Sequence, residues 1–64
     1  MIRINGKEIS AAGKTVAECL SDGGFDKTRV AVELNGNIVP KSRYQDTTLA
    51  DGDSVEIVSF VGGG

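Results

Sequence analysis

Twice in this chain an Asn-Gly pair sits between short runs of alternating apolar and polar residues, at Asn5-Gly6 and at Asn35-Gly36. Both residue types tolerate positive φ, so the pair between β-patterned runs is the strongest short-range signal for a hairpin. Before the first pair, Ile2 and Ile4 alternate with Arg3, and Glu8-Ile9-Ser10 reads as the returning strand. Before the second, Val30, Val32 and Leu34 share one face, with Ala31 and Glu33 on the other. Ile38-Val39 returns from that turn until Pro40, which has no N–H to give to a ladder. Two hairpins take up much of a chain of 64 residues. Such a length gives room for one domain, spanning 1–64, that buries roughly 60% of its unfolded surface.

The segment between the hairpins changes period. Thr15-Val16-Ala17-Glu18 fits the capping box, in which the Thr hydroxyl and the Glu carboxylate each accept from the other's backbone amide. Val16, Cys19 and Leu20 fall at i, i+3 and i+4, the stripe of a short amphipathic helix. Gly23-Gly24 supplies the stop, because glycine takes the left-handed C-cap conformation without a Cβ penalty. Beyond Pro40, the stretch from Lys41 to Thr48 is polar and irregular, with Tyr44 its only large apolar side chain. Asp51-Gly52-Asp53 reads as a turn, and a last strand runs from about Ser54 to Phe60. Hairpin, helix, hairpin and final strand make an α+β chain, with one sheet wrapped around one helix.

Charge and cysteine content exclude several functions. With 7 Lys and Arg against 9 Asp and Glu, the net charge of −2 offers no basic footprint for nucleic acid. A partner with a basic docking surface suits this balance better. The single cysteine, Cys19, cannot close a disulfide within the chain, which points to a reducing compartment, the cytoplasm. The opening residues lack the apolar run of a signal peptide, and no stretch is long and apolar enough to span a membrane. There is no histidine, so Cys-His and Ser-His pairs are ruled out. Asp51 and Asp53 flank a turn glycine and read as turn formers rather than metal ligands or an acid–base pair. Cys19 lies on the helix stripe and reads as a small core residue rather than a reactive thiol.

Three segments together carry a resemblance that covers nearly the whole chain. Asn35-Gly36-Asn37-Ile38-Val39-Pro40, the run from Leu49 through Asp51-Gly52-Asp53 to Val58, and the ending Val61-Gly62-Gly63-Gly64 resemble the ThiS family of sulfur carriers in thiamine biosynthesis. The resemblance implies the ubiquitin-like β-grasp fold and a carrier rather than an enzyme, with no catalytic residue and no metal. It implies that a ubiquitin-activating-type, ThiF-like adenylyltransferase consumes ATP to adenylate the carboxylate of Gly64. A sulfur donor then converts it to a thiocarboxylate, which a ThiG-like thiazole synthase uses. Gly62 and Gly63 would thread the partner's active site, and no cofactor would stay bound. The rivals are the small subunit of molybdopterin synthase, which shares the tail chemistry, and a ubiquitin-like binding module whose tail is never activated.

The residues suit that chemistry. A terminal carboxylate is ionised at neutral pH and poorly reactive until joined to a leaving group such as AMP. Glycine lacks a side chain and so allows close backbone approach inside another protein's site. A flexible tail over 61–64 is expected to extend roughly 13 Å beyond the sheet. A terminal glycine run also suits a linker or cloning scar, but a linker has no reason to begin where a strand ends. If Val55 and Ile57 face the helix, alternation sends Glu56, Val58 and Phe60 to the open face. Val58 and Phe60, next to the tail and with Ala31 near them, then read as a docking patch for the partner.

Overall fold

The computed structural model describes residues 1–60. The expected tail, 61–64, lies outside them. The strands are β1 (Ile2–Ile4), β2 (Lys7–Ile9), β3 (Val30–Leu34), β4 (Asn37–Val39) and β5 (Ser54–Ser59), with one helix, α1 (Val16–Asp22). They form a single mixed sheet in the order β2-β1-β5-β3-β4, in which β1 and β5 are parallel and the other pairs antiparallel. This is the ubiquitin-like β-grasp arrangement that the sequence leads one to expect.

Both Asn-Gly turns are present. Asn5, Gly6, Asn35 and Gly36 all have positive φ, and each pair closes a two-residue loop, Ile4 facing Lys7 and Leu34 facing Asn37. These are the mirror-image turns whose twist matches that of the strands. The first returning strand begins one residue earlier than Glu8 and ends at Ile9.

The two asparagines do more than turn the chain. Asn5 Oδ1 accepts from the Ile57 N–H at 2.7 Å, and Asn5 Nδ2 donates to the Ile57 carbonyl at 3.1 Å. β1 pairs with β5 only at Arg3–Ser54 and Ile4–Val55, so the Asn5 carboxamide continues the ladder where the β1 backbone has turned away. On the other side, Asn35 Oδ1 accepts from the Ser54 N–H at 2.9 Å, and Asn35 Nδ2 donates to the Asp53 carboxylate at 3.0 Å. β5 is thus gripped by a carboxamide from each neighbouring hairpin.

The helix begins as the capping box requires, with the Thr15 hydroxyl accepting from Glu18 N–H and the Glu18 carboxylate from Thr15 N–H. The next two N–H groups have no partner within a helix. Here the Val16 N–H donates to the Thr47 carbonyl and the Ala17 N–H to that of Tyr44. The stretch read as irregular is therefore built to a purpose: a 3-10 turn over Lys41–Arg43 delivers two carbonyls to the helix start. At the other end, the Gly24 N–H donates to Ser21 and the Phe25 N–H to Leu20, with Gly24 at positive φ. This is the Schellman arrangement, and Phe25 packs against the core as its apolar partner.

The core lies between the helix and one face of the sheet. Val16, Cys19 and Leu20 from the helix meet Ile2, Ile4, Val30, Val32, Val55 and Ile57 from the strands, with Tyr44 and Leu49 closing one end. Leu34, on the same face as Val30 and Val32, is only half-buried at the end of its strand. Among the described residues, no helix is long and apolar enough to cross a membrane.

Two outcomes follow from the grip on β5. Asn5→Gly keeps the positive φ but leaves both Ile57 backbone groups without their partner, and should lower unfolding stability by about 1–3 kcal/mol in urea titrations. Asp53 accepts from the Ala50 N–H and from Asn35, and these bonds hold its carboxyl below the usual range. A depressed folded-state pKa gives stability that is complete above about 3.9 and is lost as pH falls through the folded value. The urea midpoint should drop on acidification below that point, and less steeply in Asp53→Asn.

Candidate functional site

β5 alternates as its sequence demands. Val55 and Ile57 are buried against the helix, while Val58 is 57% exposed and Phe60 54% exposed. β5 stops at Ser59, one residue short of the expected end, yet the Phe60 N–H still donates to the Arg29 carbonyl at 2.7 Å. That bond carries the alternation one residue further, so Phe60 stays on the face of Val58. Ala31 of β3 lies directly across from Val58, as expected.

One member of this face was missed in the sequence. Ile38 of β4 is 73% exposed, and it lies opposite Glu33 on the same open side of the sheet. The signal was its register: an Asn-Gly loop pairing Leu34 with Asn37 places Ile38 against Glu33, an outward residue. Five large apolar residues are exposed among those described: Met1, Ile9, Ile38, Val58 and Phe60. The last three share one face of the sheet, and single scattered ones would call for no explanation.

The remaining candidates are structural. Cys19 is 8% exposed, and burial pushes its thiol pKa up, away from the nucleophilic thiolate. It borders a mainly apolar cleft of about 160 Å³ between the helix and the first hairpin, lined also by Ile4, Ile9, Phe25 and Ile57. Tyr44, to which the sequence assigns no function, is buried in the core with its hydroxyl toward the Val30 carbonyl. Asp53 serves the turn and the Asn35 grip, as its position between turn residues implies. No group of three or more metal-ligating side chains comes together among the described residues. Gly62, Gly63 and Gly64, the expected acceptor segment, lie outside the described residues.

What the arrangement offers is a presentation surface. A central strand, fixed on both sides, carries an apolar patch at the end from which the glycine-rich sequence continues.

Comparison with known proteins agrees with this geometry. The ThiS family model matches residues 2–64. A thiazole synthase of Paramagnetospirillum magneticum is 50% identical over 95% of this chain, which spans only 19% of that protein's length. The sulfur carrier protein ThiS of Bacillus subtilis is 38% identical, with 100% of both chains covered. A crystal structure of the thiamine biosynthesis protein ThiS from Geobacter metallireducens superposes with a TM-score of 0.81 at 37% identity, covering 98% of this chain and 97% of that one.

The two faces of β5 predict opposite responses to truncation. Ile57→Ala should destabilise the fold by about 2–5 kcal/mol, as for a buried aliphatic residue cut to alanine. Phe60→Ala should leave the melting temperature nearly unchanged and weaken docking to a partner protein by about 1–3 kcal/mol. Thermal melts and titration calorimetry on both variants check the pair.

Proposed function

The chain belongs to the ThiS family, and from that premise we propose that it carries sulfur as a thiocarboxylate on Gly64 for thiazole formation. The observation that carries the proposal is the position of β5: the central strand of the sheet, clamped by Asn5 and Asn35, leads in sequence straight into Gly62-Gly63-Gly64. A small sulfur carrier needs no active site of its own. Its work is to deliver one carboxylate into the sites of other proteins and to be recognised by the folded surface beside it.

The chemistry divides accordingly. A ThiF-like adenylyltransferase joins the Gly64 carboxylate to AMP, releasing pyrophosphate from ATP. Hydrosulfide released by the donor attacks the acyl carbon, and AMP leaves with the electron pair of the broken C–O bond. The resulting thiocarboxylate is the sulfur source for a ThiG-like thiazole synthase. Glycine at 62, 63 and 64 suits this threading, because no Cβ obstructs the walls of a narrow site. Val58 and Phe60, joined by Ile38, supply the apolar anchors that a featureless tail cannot.

Two comparisons support the thiazole branch over the molybdopterin rival. The relative matched over its full length is named a ThiS sulfur carrier, and the one most identical among those described is a thiazole synthase containing a segment similar to this chain. A carrier segment within a synthase fits two partners that must meet, since tethering raises their effective concentration. The reading places the protein in the cytoplasm, with its ATP-dependent partners.

Incubation with the activating enzyme, ATP and a sulfur source should raise the intact mass by one oxygen-to-sulfur exchange. Deleting Gly64 should abolish both this change and ATP-dependent pyrophosphate release, while the melting temperature stays the same, because terminal glycines bury little. Normal sulfur loading of the truncated protein would refute the assignment.

A further inference from the structure

The open face of the sheet carries a second feature beside its apolar patch. Glu33 of β3 and Glu56 of β5 are directly paired in register, and both are exposed. Like charges directly opposite on neighbouring strands destabilise a sheet. Among the described residues, no salt bridge reaches either carboxylate. The two arginines on the same face are already engaged elsewhere, Arg3 with Glu8 at 3.2 Å and Arg29 with Asp26 at 3.7 Å.

The pair is continuous with the patch. Ile38 flanks Glu33 on β4, Ala31 and Val58 form the next outward row, and Phe60 lies beyond, opposite Arg29. At ~3.3 Å per residue, Glu56 lies about 13 Å behind Phe60 along the strand. An apolar area with an uncompensated double negative charge at its rim has a defined complement. A second copy of this chain is a poorer one, since the arginines that its own open face offers, Arg3 and Arg29, already pair with Glu8 and Asp26. A cationic surface is a good one.

We propose that Glu33 and Glu56 form the charge-selecting half of the docking face, and that its occupant is an arginine-bearing surface of the activating enzyme beside an apolar groove. The inference rests on the carrier reading above and adds the chemistry of the partner's surface to it. A guanidinium has five donors in a planar fork and can serve both carboxylates at once, which a lysine ammonium does less well. The carboxylates speed encounter and set orientation, whereas the apolar anchors hold the complex.

The test measures association of the full chain with the adenylyltransferase across a salt series, for wild type, Phe60→Ala and Glu33→Gln/Glu56→Gln. The double Gln variant should melt at or above the wild-type temperature, because a repulsion has been removed. Its association rate should fall by about tenfold at low salt, and the deficit should close as salt is added. Glu33→Arg/Glu56→Arg should associate more slowly still. Equal rates for wild type and the double Gln variant at every salt concentration would overturn the inference, as would a deficit that salt does not change. If wild type itself neither binds nor gains sulfur, the carrier reading fails instead. If Phe60→Ala weakens binding while the double Gln variant matches wild type, the charge inference alone falls.

Discussion

Strand β5 is the part on which the rest of the structure is registered. It lies between β1 and β3, and each neighbour ends in an Asn-Gly turn whose carboxamide reaches back to it, Asn35 at Ser54 and Asn5 at Ile57. The Asn5 bonds complete a ladder that β1, three residues long, is too short to provide. A shift of β5 by one residue would send Val55 and Ile57 out to solvent and Glu56 and Val58 into the core. The carboxamides oppose that slip from both sides.

With β5 fixed, the two faces of the sheet divide the work. One face meets Val16, Cys19 and Leu20 of the helix and holds the molecule together. The other keeps Val58, Phe60 and Ile38 largely in water, an arrangement that adds little to the stability of the isolated chain. The helix is too short to persist alone. Its first amides are satisfied by Thr15, Thr47 and Tyr44, and its last turn by the Gly24 and Phe25 amides, so both ends are tied to the surrounding chain. A rigid body results from short elements because their ends are satisfied.

Much of this was legible in the residues. Both turns, the capping box, the glycine stop and the alternation of β5 are local signals, each carried by residues adjacent in the chain, and the exposure of Val58 and Phe60 followed from alternation alone. What escaped was long-range. Nothing near Asn5 announces that its side chain will bind the backbone of a residue 52 positions away. The segment 41–48 looked irregular because its order consists of carbonyls offered to a distant helix, and backbone carbonyls leave no mark on sequence. The exposure of Ile38 was readable in principle from the loop register, which sets it opposite the outward Glu33 and sends only Val39 to the core. The glycine-rich segment was recognised by its sequence, not by any feature of the folded part.

The central strand of this sheet is also the last to be made. Each hairpin needs only residues close in sequence and can form early, whereas joining β1 to β5 closes a loop of more than forty residues and must come late. Until β5 is inserted, the two hairpins share no strand, and Ala31 has no Val58 across from it. A surface assembled from both strands therefore exists only on a chain that has finished folding. A partner that docked on it would thereby sense completion of the fold as well as identity.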